Sequence, residues 1–139
     1  MNSSRLKNYL KEAKIHIERL NEVLKEIKKI YPLDVEKFKQ LTIEQKNMLD
    51  TLAFRFSKLQ DLVGTKIFRE FLDEVGFITE GKSFLEILKE IEKEGIIDID
   101  TWSEFRKVRN LIAHDYPEEW EEKIEVVKKI ESKIKWFWD

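Results

Sequence analysis

Residues 42–72 read TIEQKNMLDTLAFRFSKLQDLVGTKIFREFL, and this stretch decides the fold class. Thr42, with Gln45 three positions on, forms the capping box that opens a helix. Behind it Leu49, Leu52, Phe56, Leu59, Val63 and Ile67 recur at threes and fours, which predicts one long amphipathic helix running to about Leu72. Gly64 lies inside the pattern, where it costs about 1 kcal/mol relative to Ala and marks either close packing or a bend. Arg55, Lys58 and Asp61 share this helix, and Lys58 and Asp61, three apart, are expected to pair at its surface.

Upstream, Leu6, Tyr9, Leu10, Ala13, Ile17, Leu20, Leu24, Ile27 and Ile30 keep the same period, and Tyr31-Pro32 stops it. The opposite face of this first helix carries Lys7, Lys11, Lys14, Arg19, Lys25, Lys28 and Lys29, read first as a solvated surface and second as a backbone-binding face. His16, flanked by isoleucines, is expected to be packed or half-exposed rather than catalytic. Downstream, Gly76 and Gly81 bracket a loop, and a Ser83/Glu86 capping box opens a third helix that ends at Gly95. Residues 96–100 alternate like a strand but have no partner strand, so they read as a connector. Thr101 with Glu104 opens a fourth helix with Phe105, Val108 and Ile112 inward, broken at Pro117. A last helix starts near Glu118 and buries Ile124, Val127, Ile130, Ile134 and Phe137. Its Trp136-Phe137-Trp138 end offers a partner contact.

The prediction is therefore an all-α, up-and-down bundle of four to five helices in a single domain, residues 1–139. Cysteine is absent, which excludes disulfides, thiolate metal sites and thiol nucleophiles. No signal-type N-terminus and no long apolar run appear, so a cytoplasmic protein without membrane contact is expected. A formal net charge of −2 gives no global attraction to nucleic acid, so any RNA contact must come from a local basic patch.

Such a patch occurs at Arg109-Asn110-Leu111-Ile112-Ala113-His114-Asp115-Tyr116, in a chain with only 2 histidines. Arg106 precedes it by one turn, and Lys107 adds positive charge. Arg109 and His114 are five apart, about 140° around a helix, so they converge only if the helix ends there, as Pro117 requires. Asn110 and His114 are four apart, and the amide can orient the imidazole. RNA supplies its own nucleophile, the 2′-hydroxyl. Cleavage then needs a proton acceptor, a donor and a cation on the phosphate, with no metal or other cofactor. His114 can move protons near neutrality and Arg109 can grip two phosphate oxygens. One subunit holds one such pair; a two-fold homodimer would bring two of each into one cleft. The plain alternative makes His114 a helix-end cation and Tyr116 a core-edge aromatic.

With Arg109-Asn110-x-x-x-His114-x-Tyr116 near the end of the penultimate long helix, the chain resembles the HEPN superfamily, specifically its HepT-like ribonuclease toxins. An Arg followed by a polar residue, with four to six spacers before a His, is the nuclease signature of that family. The His-x-Tyr extension marks toxins paired with a minimal nucleotidyltransferase antitoxin. The resemblance implies a homodimeric, metal-independent endoribonuclease with its site at the subunit interface. Arg109 would hold the scissile phosphate, His114 would transfer protons, Asn110 would support them, and Tyr116 would accept AMP from the antitoxin. The competing function is a non-catalytic helical module that binds a nucleotide or a nucleotidyltransferase through the same basic cleft. A purely structural adaptor comes third.

Overall fold

The computed structural model describes residues 4–31, 33–112 and 119–137, the Trp136 side chain excepted. All described regular structure is helical: α1 (Ser4–Lys28), α2 (Val35–Lys39), α3 (Ile43–Leu62), a π-helical turn (Val63–Ile67), α4 (Phe68–Glu74), α5 (Phe84–Lys93), α6 (Ile99–Leu111), α7 (Trp120–Ile134) and a closing 3-10 turn (Lys135–Phe137). With α3, the π turn and α4 taken as one rod, there are six helices among the described residues, against the four to five expected. The addition is α2, a five-residue helix too short to show a period, started by Asp34 accepting from the Lys37 N–H at 2.8 Å.

The central rod begins as its sequence predicts. Thr42 Oγ1 accepts from the Gln45 N–H at 3.1 Å, and the Gln45 side chain accepts from the Thr42 N–H at 2.9 Å. α1 packs along the rod on one side and α6 on another, while α7 lies against α6. Phe56, Phe68, Phe105 and Trp120 fill the centre.

The π turn has a definite effect on phase. Leu72 stands 18 positions after Phe54, about five full turns at 100° per residue, so an unbroken α-helix would stack it on Phe54's face. Phe54 is 53% exposed and Leu72 is 0% exposed. The Phe68 N–H donates to Val63 O, five residues back, so one extra residue is taken up in that turn. Everything beyond is rotated by about 100°, which carries Phe68 and Leu72 into the core. Gly64, the position left between close packing and a bend, is a close-packing glycine: a Cβ there would meet Trp102 Cζ2 at 2.8 Å.

One expected boundary moves. α6 starts at Ile99, not at a Thr101/Glu104 box, because Asp98 Oδ1 accepts from the Thr101 N–H at 2.6 Å and so caps the helix one turn earlier. At the C-terminus, Phe137 packs edge-on against Phe71 at 5.6 Å, so that member of the aromatic end is engaged within the chain. The Ser83/Glu86 box opens α5 as read, and Gly76, Gly81 and Gly95 end helices or loops at positive φ. No helix among the described residues is long and apolar enough to cross a membrane.

Candidate functional site

Where the central rod faces α6, a cleft of about 410 Å³ opens. Gln60, Asp61, Gly64 and Thr65 form one wall. The other is Trp102, Arg106, Arg109 and Asn110, spaced four, three and one apart and so on one face of α6, with Phe84 of α5 at the edge. The inward stripe of α6 is Phe105, Val108 and Ile112, as the sequence predicts, and Trp102 joins it. Arg106, Arg109 and Asn110, all singled out from sequence, thus converge on one concavity. His114 and Tyr116, with Asp115 and Pro117 beside them, lie outside the described residues. α6 ends at Leu111 with Ile112 as its C-cap, and the expected convergence of Arg109 with His114 falls outside the described residues.

Arg109 is not free in this cleft. Its Nε donates to Asp61 Oδ1 at 3.3 Å and its Nη2 to Asp61 Oδ2 at 3.2 Å, a two-pronged grip from α6 to the rod. The side chains are 39% and 54% exposed, so solvent screens the pair and it contributes at most about 1 kcal/mol. The Lys58–Asp61 surface pair expected from their spacing is therefore corrected. Asp61 turns across to Arg109, and the Lys58 ammonium sits 5.5 Å from the centre of the Phe54 ring. The basic patch is also narrower than its sequence suggests, because Lys107 reaches toward Glu122 of α7 at 3.9 Å. Arg106 is exposed and has no carboxylate within 4 Å among the described residues.

Gln60 forms the floor. It is 5% exposed, and its Oε1 has no hydrogen-bond partner among the described residues. Thr65, on the same wall, donates its hydroxyl to Asp61 O at 2.7 Å, which ties the π turn to the preceding helical turn. Neither Asp61 nor Gln60 was identifiable as a site residue from sequence, since their partners are across a helix interface.

His16 is buried away from the cleft, where α1 meets the rod. Arg55 Nη1 lies 3.3 Å from its Nδ1, and since guanidinium only donates, Nδ1 accepts and the ring proton resides on Nε2. Burial first, then the Arg55 and Lys58 charges, hold its pKa below the ordinary value against the pull of Glu12. It is a packed histidine, as read. On the basic face of α1 and just past its end, Arg19 lies 3.5 Å from Glu22 and Lys29 lies 3.0 Å from Glu26, in keeping with a solvated surface. No family model, curated protein or solved structure matches the chain.

Proposed function

We propose that the chain is a HEPN-like, HepT-type ribonuclease toxin that works as a homodimer and cleaves RNA without metal. The observation carrying this reading is the gathering of Arg106, Arg109 and Asn110 on one cleft at the end of α6, directly before His114. In the reaction, the RNA 2′-oxygen attacks the adjacent phosphorus and the bond to the 5′-oxygen breaks. The products are a 2′,3′-cyclic phosphate and a 5′-hydroxyl. One His114 removes the 2′-hydroxyl proton, and its copy in the second protomer protonates the departing oxygen. Arg109 binds the phosphate after exchanging the Asp61 carboxylate for phosphate oxygens, and Arg106 adds charge at the cleft mouth. AMP placed on Tyr116 by a minimal nucleotidyltransferase antitoxin would put negative charge and bulk at the same entrance.

The decisive experiment is cleavage of a labelled RNA in excess EDTA. Wild type yields cyclic-phosphate ends, and His114→Ala lowers the rate by about a hundredfold or more while the circular dichroism spectrum stays unchanged. Equal cleavage by that variant excludes the mechanism. One observation favours a second reading. Arg109 is already held by Asp61, as suits a non-catalytic cleft that binds a nucleotide or a nucleotidyltransferase. RNA or nucleotide binding with no cleavage at any protein concentration would select it.

A further inference from the structure

We infer that Gln60 is a base-reading residue, and that the cleft between the central rod and α6 takes an adenine of the bound RNA strand, its ring edge on the Gln60 amide and its phosphate on Arg106. The inference rests on the RNA reading above and adds a specificity to it.

Three observations converge. Gln60 Oε1 is a buried acceptor without a partner among the described residues, and such groups are few in folded proteins because an unmade hydrogen bond leaves the cost of desolvation uncompensated. This one belongs to a residue lining the cleft between the rod and α6, whose volume of about 410 Å³ falls in the range of small-ligand sites. The neighbouring wall is apolar, formed by Phe84, Trp102 and the side-chain-free Gly64, which suits a flat aromatic ring better than a sugar. On the α6 side, one turn beyond Trp102, stands Arg106, a cation with no carboxylate within 4 Å among the described residues. A carboxamide presents an acceptor and a donor side by side, and adenine answers it with the N6 amine and N7, the usual two-bond partner of glutamine. Two other cleft polar groups are committed elsewhere: Thr65 donates to a backbone carbonyl, and Asp61 is held by Arg109.

The test uses the full chain and 2′-O-methyl decamers of A, U and inosine, which lack the attacking hydroxyl and so report binding alone. Fluorescence anisotropy should show wild type binding the A decamer about tenfold tighter than the U or inosine decamers, inosine having lost the N6 amine. Gln60→Leu should bring these ratios toward one, and Arg106→Ala should weaken all three decamers alike. Equal wild-type affinity for A and inosine overturns the proposal without any variant. Unchanged ratios in Gln60→Leu, or in Gln60→Glu where the leucine variant does not fold, overturn it as well. A protein that cleaves RNA but shows no adenine preference loses this inference alone. One that neither binds nor cleaves RNA loses the ribonuclease reading with it.

Discussion

Arg109 of α6 and Asp61 of the central rod, 48 positions apart in sequence, are joined by two hydrogen bonds that fix the guanidinium plane inside the cleft. The carboxylate occupies the fork that a phosphate would need. It therefore orients the arginine and also competes with the proposed ligand. Asp61→Asn should remove that competitor and tighten binding of single-stranded RNA at low salt, and Arg109→Ala should flatten the log–log salt dependence by about 0.7. Melting should shift little, since an exposed pair contributes at most about 1 kcal/mol. A salt slope equal to that of wild type would show that Arg109 does not meet phosphate.

Gly64→Ala sets two effects against each other. Alanine gains about 1 kcal/mol in helix propensity, but its Cβ would lie 2.8 Å from Trp102 Cζ2, and overpacking of that kind costs about 1–3 kcal/mol. Trp102 is itself wedged between Phe68, at 5.0 Å, and Phe105, at 6.1 Å, so it has little room to withdraw. The expected result is a net loss of stability in urea unfolding, with weaker ligand binding at the same cleft. A stabilised variant would mean that the indole moves freely.

Protonation of His16 should be measurable in stability. Its folded pKa is depressed, mainly by burial and secondly by Arg55, so below the ordinary value of 6.5 the unfolded chain binds the proton more readily than the native one. The contribution of the neutral ring is complete above pH 6.5 and is lost as pH falls below it. Thermal melts at pH 7.5 and 5.5 should therefore differ more for wild type than for His16→Gln, which keeps an acceptor for Arg55. Equal differences would place the imidazole in water.

The two capping boxes should each be measurable. Thr42→Ala and Ser83→Ala remove side-chain acceptors for the Gln45 and Glu86 N–H groups, at 3.1 Å and 3.2 Å, and each should cost about 1 kcal/mol in chemical denaturation. The two losses should add, since the caps serve separate helices.

Most of the architecture was legible in local patterns. Capping boxes at Thr42 and Ser83, the apolar period of α1 and α7, and the glycines at positive φ specify their elements through neighbours within a few residues. The short α2 escaped because five residues hold too little of a period, and the start of α6 was misplaced because Asp98 and Thr101 compete for the same role. The π turn was invisible for another reason: Phe68 and Leu72 are apolar whichever way they face, so only their burial reveals the extra residue. At the cleft, Arg106, Arg109 and Asn110 were readable as a cluster on one helix, whereas Asp61 and Gln60 acquire their roles only when α3 and α6 meet.

That widened turn also lies between the scaffold and the cleft. Excising Thr65 would restore an ordinary helical ladder while leaving every downstream side chain pointing where it does now, because the residue removed is the supernumerary one. Such a shortened chain should keep its hydrophobic interior yet close the gap opposite Arg106. Tolerance of a single-codon deletion, joined to loss of binding, would mark this turn as a device that serves recognition and is dispensable for folding.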